Sequence, residues 1–221
     1  MIGLVIFDCD GVLIDSEVLS SAVLMELMTE LGVPITPEIF RSDFLGRSFA
    51  AATKRAEQRL GRTLPDDLNL QYRARLLARM EGNLHAMPGV EGLLKSMRAP
   101  YCLATSSSPP RLEVSMRESG LGHFFRGRMY TSSMVKNGKP APDLMLHAAA
   151  AMNTAPEQCV VIEDSEMGLR AGLAAGMQVW HFTGGGHLRD GFTLAEDVHP
   201  HRTLDSMAAL HDALRELGLA V

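Results

Sequence analysis

Short, continuous apolar runs recur along the chain: Ile2 to Phe7, Tyr101 to Thr105, Cys159 to Glu163 and Met177 to Phe182. None shows the in-out alternation of a half-buried strand, so each predicts a strand covered on both faces, as in a parallel sheet. Between them lie segments with apolar positions three and four apart: Gly89 to Met97, Pro110 to Ser119 and Pro142 to Met152. Ser165 to Ala175 adds a helix rich in small residues. Strands alternating with helices predict βαβ units, hence an α/β fold with a Rossmann-like parallel sheet and helices on both faces.

The alternation stops between Asp15 and His85, where no run reads as a strand. Glu17 to Gly32 is an amphipathic helix with glycine as its stop, punctuated by Pro34 and Pro37. Ser48 to Leu60 and Asp66 to Gly82 read as further helices. The expected organisation is therefore an α/β core, residues 1–14 and 86–221, interrupted by an all-helical cap at 15–85.

Composition narrows the classes. The 221 residues, 46% of them hydrophobic, can bury a sizeable core, and a formal charge of −5 argues against nucleic acid or an anionic membrane surface as partner. Cys9, Cys102 and Cys159 are too few and too scattered for a disulfide framework. No run is long enough to span a bilayer, and the first residues lack a basic leader, so a cytoplasmic protein is expected. A monomer or weak dimer is the expected assembly.

Chemistry concentrates where the strands end. In parallel α/β sheets ligands lie beyond the carboxyl ends of the strands. There the chain places Asp8-Cys9-Asp10-Gly11, then Thr105-Ser-Ser-Ser108, then Glu163-Asp164-Ser165, while Lys139 precedes another helix in Asn137-Gly-Lys-Pro-Ala-Pro-Asp143. Carboxylates brought together repel unless a cation compensates them. Hard oxygen ligands around an open site suit Mg²⁺, which shares its remaining positions with water and a substrate phosphate. Asp8 can then attack phosphorus to form an aspartyl phosphate. Asp10 protonates the leaving alkoxide and later deprotonates water. Thr105, Ser106 and the N–H groups at the helix start can cradle the phosphoryl oxygens, and Lys139 can neutralise their charge.

DCDGVLIDS, LATSSS, GKPAPD and VIEDSEMGLRAG resemble, in order, the four signature motifs of the haloacid dehalogenase-like hydrolases. The resemblance covers nearly the whole chain. It is strongest for the subgroup with a helical cap after the first motif, the β-phosphoglucomutase-like phosphatases. Within it, Arg98-Ala-Pro and Leu146-His-Ala-Ala-Ala are most similar to bacterial 6-phosphogluconate phosphatases. The resemblance implies Asp8 as nucleophile, Asp10 as acid and base, and Thr105 and Lys139 as phosphate ligands. It implies Mg²⁺ on the Asp8 carboxylate, the Asp10 main-chain oxygen and Asp164, with Glu163 on or beside the ion. The partner would be a small phosphorylated metabolite, a sugar phosphate or sugar-acid phosphate.

Other residues divide between readings. Arg47, in Leu45-Gly-Arg-Ser48, either reaches an anionic substrate or is a surface arginine. His85, His123, His147, His181 and His187 lack ligand spacing and read as packing or surface residues. Asp15 and Ser16 suit a helix cap at a hinge. Phosphomutases similar to this chain carry a histidine in the first cap helix and an arginine directly after the cap's Gly-x-Ser. Ser20 and Phe49 stand there instead, which favours hydrolysis. The metal-free dehalogenases lack the second aspartate, so Asp10 and Asp164 oppose that chemistry.

Overall fold

In a computed structural model, residues 1–33, 35–36, 39, 49–188 and 193–221 are described. They form two compact units, one of residues Met1–Ser16 with Leu84–Val221 and the other of Glu17–Asn83.

The first unit is a six-stranded parallel sheet. Its strands are β1 (Leu4–Phe7), β2 (Tyr101–Thr105), β3 (Met129–Thr131), β4 (Cys159–Glu163), β5 (Gln178–Phe182) and β6 (Arg202–Leu204). They lie in the order β3-β2-β1-β4-β5-β6. The strand order thus reverses at β1, where Ile6 faces Cys102 on one side and Val161 on the other. A crevice opens beyond the carboxyl ends at such a switch point. β1, β2 and β4 are buried along their whole length, as their unbroken apolar runs require.

Leu4 and Ile6 pack with Cys102, Val161 and Val179 into a core that includes Leu144, Met145 and Ala148 of one helix and Leu169 and Ala171 of another. Phe7 alternates to the opposite face, its ring edge-on to Tyr101, which meets Phe125 in the same way. Each such fully buried side chain contributes about 1.5–3 kcal/mol.

Among the described residues, five α-helices run around the sheet. They are α4 (Val90–Ser96), α5 (Pro109–Glu118), α6 (Asp143–Ala151), α7 (Glu166–Ala174) and α8 (Met207–Glu216). Four match predicted segments to within a residue at each end. β3, β6 and α8 do not appear in the sequence reading. The two strands are three residues long and form the sheet's edges, where partial exposure removes the apolar run that marks a buried strand.

The helices of the second unit, among its described residues, are α1 (Ser16–Glu30), which opens at the last residue of the first unit, α2 (Phe49–Leu60) and α3 (Leu68–Met80), each followed by a turn. Leu27, Met28, Ala56, Leu68, Leu76 and Met80 are buried in it. Arg75 meets both oxygens of Glu30 at 2.6 and 2.8 Å, and Arg79 meets Glu26 at 2.8 and 3.0 Å. Such exposed pairs are screened by solvent and contribute little, so the apolar contacts carry the unit. Among the described residues, no helix is long and apolar enough to cross a membrane.

Candidate active site

β1 delivers Asp8. Its N–H donates to Ile162 O at 2.9 Å, so the ladder between β1 and β4 extends one residue past Phe7 and fixes Asp8 beside the end of β4. The chain then turns tightly, with Leu13 and Ile14 both donating to Cys9 O and Gly11 donating to Ile14 O. Gly11 has a positive φ of 79°, and a Cβ there would lie 1.9 Å from Asp164 Oδ2. Only glycine lets the first strand's loop pass so close to the carboxylate after β4.

Lys139, from the loop before α6, ties these ends together. Its Nζ donates to Asp8 Oδ1 at 2.5 Å, Glu163 Oε1 at 2.7 Å and Ala104 O at 3.0 Å, which uses all three ammonium protons. The side chain is 3% exposed. Burial alone would lower its pKa, but the charges and hydrogen bonds of Asp8 and Glu163 raise it above the ordinary lysine value. Lys139 is a permanent cation. Asp8 is shifted upward as well: burial, followed by the charges of Glu163, Asp164 and Asp10, pushes its carboxyl well up despite Lys139.

Asp10 has a separate set of partners. Arg111, just after Pro109 and Pro110 in the first turn of α5, donates from Nη2 to Asp10 Oδ1 at 2.8 Å. Ser107 Oγ donates to Oδ2 at 2.6 Å, and Ser16 Oγ donates to Oδ1. Burial disfavours the anion, but the Arg111 charge and the hydrogen bonds from Ser107, Ser16 and Arg111 outweigh it and hold the carboxyl below the ordinary range. Two aspartates of one loop thus differ in character through their neighbours.

At the end of β4, Glu163 Oε2 accepts from Ser165 N at 2.7 Å and Ser165 Oγ at 2.9 Å. Ser165 also caps α7 by accepting from Gly168 N. Asp164 is buried. His187 Nε2 lies 3.0 Å from its Oδ2, and His181 Nε2 lies 3.1 Å from its main-chain oxygen. Asp8, Glu163 and Asp164 offer carboxylate oxygens within 4.8 Å of one another, all three residues buried. Three hard, buried, anionic donors at this separation are the ligand chemistry that Mg²⁺ takes.

The sequence-predicted residues Asp8, Asp10, Lys139, Glu163 and Asp164 are therefore brought together. Thr105 is buried at the end of β2, its Oγ1 accepting from Ser107 N at 3.0 Å, while Ser106 is exposed beside it. Arg47 lies outside the described residues. Sequence reasoning missed Arg111, and it placed His187 with packing or surface residues, although its ring meets Asp164. Both stand at strand carboxyl ends, Arg111 one helical turn past β2 and His187 in the glycine loop after β5. Applying that positional rule beyond the acidic motifs would have reached them.

A buried Asp–Lys–Glu–Asp cluster thus stands at the switch point of a parallel α/β sheet, the place where such folds bind their ligands, and comparison with known proteins gives the family. The family model for haloacid dehalogenase-like hydrolases matches residues 2–176, and the chain belongs to that family. It is 32% identical over 184 residues to the 6-phosphogluconate phosphatase of Escherichia coli K12, covering 83% of each chain. It is also 32% identical over 185 residues to the phosphorylated carbohydrates phosphatase of Thermotoga maritima, covering 79% of this chain and 82% of that one. Among solved structures, a HAD family hydrolase from Deinococcus radiodurans R1, with bound phosphate and sodium, superposes with a TM-score of 0.84 at 33% identity. That likeness covers 100% of this chain and 98% of the other. With phosphatases as its named relatives, the chain falls in the class of phosphoric monoester hydrolases.

Proposed function

We propose that this protein is a Mg²⁺-dependent phosphatase that hydrolyses a sugar phosphate or sugar-acid phosphate, such as 6-phosphogluconate, through an aspartyl phosphate on Asp8. The observation that carries the reading is Lys139 shared between Asp8 and Glu163 in a buried cluster at the switch point. The relatives that hydrolyse phosphorylated carbohydrates supply the substrate class.

Asp8 and Asp164, with the main-chain oxygen of Asp10, would hold Mg²⁺. Both oxygens of Glu163 already accept hydrogen bonds, which favours a place beside the ion as the anchor of Lys139. When bound, the ion supplies positive charge that keeps Asp8 ionised and offsets the charge of the phosphate.

A carboxylate oxygen of Asp8 attacks phosphorus, and the bond from phosphorus to the ester oxygen breaks. Asp10 gives its proton to the leaving alkoxide. In the free site Asp10 is held ionised; a phosphate dianion arriving beside it favours the protonated form needed for this step. In the second step Asp10, now a carboxylate, takes a proton from water. The water oxygen attacks phosphorus and the Asp8–phosphorus bond breaks, returning Asp8 and inorganic phosphate. Lys139 remains charged throughout, and Thr105 and Ser106 at the end of β2 would bind the phosphoryl oxygens. The three free, buried cysteines suit a reducing, cytoplasmic setting.

Phosphomutase activity is the alternative, and the helical unit argues against it. Ser20 Oγ and Tyr72 Oη are 2.5 Å apart, and the Phe49 ring lies 4.9 Å from that of Tyr72. The two positions that would grip a second phosphate are thus engaged in a neutral cluster.

A phosphate-release screen over a panel of phosphorylated metabolites, with and without Mg²⁺, tests the reading. Release should require the metal and be highest with sugar or sugar-acid monophosphates. Conversion of β-glucose 1-phosphate to glucose 6-phosphate, primed by the 1,6-bisphosphate and with little free phosphate, would favour the mutase.

A further inference from the structure

The proposed reaction leaves one close contact at the site unused. His187 sits in the loop after β5, and its Nε2 lies 3.0 Å from Asp164 Oδ2, with the two side chains 8% and 6% exposed. A carboxylate accepts, so the imidazole donates. Asp164 is held a second time through its main chain, where His181 Nε2 lies 3.1 Å from its oxygen. One residue at the end of β4 is thus gripped by two histidines from the neighbouring strand and the loop that follows it.

The surroundings are shaped to this pair. A Cβ on Gly11 would lie 1.9 Å from Asp164 Oδ2 and 3.0 Å from His187 Cε1. A Cβ on Gly185 would lie 2.8 Å from His187 Cε1, 2.9 Å from its Nδ1 and 3.0 Å from Gly11 O. A Cβ on Gly184 would lie 2.6 Å from Phe182 Cζ and 2.9 Å from Asp205 O. The loop after β5 therefore seats against the loop after β1 only because neither carries a side chain there. The imidazole fills the space that remains. An ordinary packing histidine needs neither a buried carboxylate partner nor glycines on both sides.

We infer that His187 is a positioning residue for the metal site: its N–H fixes the rotation of the Asp164 carboxylate so that the group is set for Mg²⁺ before the ion arrives. The inference rests on the proposed metal chemistry. Ligating carboxylates are commonly oriented by such hydrogen bonds, and losing one typically weakens metal affinity 10- to 100-fold. An Asp164 carboxylate free to rotate must be ordered by the ion itself, and the cost falls on binding.

Isothermal titration of the whole protein with MgCl₂, in the absence of substrate, tests this directly. Two variants of similar bulk separate donor from packing: His187→Leu has no donor, and His187→Gln keeps an N–H at similar reach. The expected result is Mg²⁺ affinity about 10- to 100-fold weaker in His187→Leu and largely restored in His187→Gln. Turnover of His187→Leu should recover as Mg²⁺ is raised. Affinity in His187→Leu equal to wild type, or His187→Gln no better than His187→Leu, would overturn the inference. If the wild-type protein itself binds no Mg²⁺, the metal reading falls and takes the inference with it. Wild-type binding with unchanged variants removes only the role of His187.

Discussion

Arg111 Nη2 donates to Asp10 Oδ1 at 2.8 Å, joining residues 101 positions apart. This pairing explains how so many carboxylates share one sheet edge. Lys139 serves Asp8 and Glu163, Arg111 serves Asp10, and His187 meets Asp164. It also gives the first two aspartates different characters, since Asp10 is stabilised as an anion while the Asp8 carboxyl is pushed up.

Asp10→Asn should therefore lose the acid and base while keeping the main-chain oxygen offered to the metal. Turnover is expected to fall by about 10²–10⁴ with Mg²⁺ affinity close to wild type. Arg111→Met leaves Asp10 in place but removes its guanidinium anchor, so the loss should be smaller and confined to kcat. Steady-state kinetics beside a Mg²⁺ titration check both. Collapse of metal binding in Asp10→Asn would contradict the division of roles.

Gly168 tests how the acidic loop is supported. Replacing an exposed helical glycine with alanine ordinarily stabilises by up to about 1 kcal/mol. Gly92 in α4, whose Cβ would meet nothing within 4 Å, should behave that way. At Gly168 in α7 a Cβ would lie 1.6 Å from Glu163 Oε1, and this overlap dominates any gain in propensity. Gly168→Ala should lower both the melting temperature and kcat, because Glu163 can move only by loosening Lys139. Thermal melts and kinetics of the two variants check the contrast; a stabilised, fully active Gly168→Ala would contradict it.

The cysteines offer a chemical check on the core. Cys9, Cys102 and Cys159 are all buried. Burial pushes the Cys102 thiol up to about 12 and the Cys159 thiol to about 11, and it raises Cys9 well above its ordinary value. Since the thiolate is the reactive form, none should react with a thiol reagent in the native protein near pH 8. All three should react after denaturation. Fast native labelling of any one would show that its strand end opens.

Much of this was legible in the residues, for identifiable reasons. β1, β2, β4 and β5 announce themselves because burial on both faces demands an unbroken apolar run. Asp8, Asp10, Glu163 and Asp164 stand out because charge beside a buried strand needs a purpose, whereas Lys139 is marked mainly by the family resemblance of the GKPAPD motif around it. β3 and β6 were not legible, since three-residue edge strands carry too little burial to leave a pattern. Arg111 was hidden differently. A lone arginine after Pro109-Pro110 looks like any solvated helix residue until folding brings Asp10 beneath it. His187 likewise lacks local spacing to a partner, because Asp164 reaches it through the sheet. Their places after β2 and β5 mark them as candidates along the chain, but which carboxylate each one meets shows only once the chain is folded.

The central claim is that the phosphoryl group passes through Asp8. Asp8→Asn should abolish turnover while melting within a few degrees of wild type, but loss alone does not show a bond. Trapping does. The protein, Mg²⁺ and a hydrolysed sugar phosphate would be mixed, quenched in the steady state and reduced with borohydride, which converts an aspartyl phosphate to homoserine. Peptide mass spectrometry would then locate the product. Homoserine at position 8, dependent on substrate and absent from Asp8→Asn, is the predicted result. Homoserine at position 10, or none at all while phosphate is being released, would contradict the account.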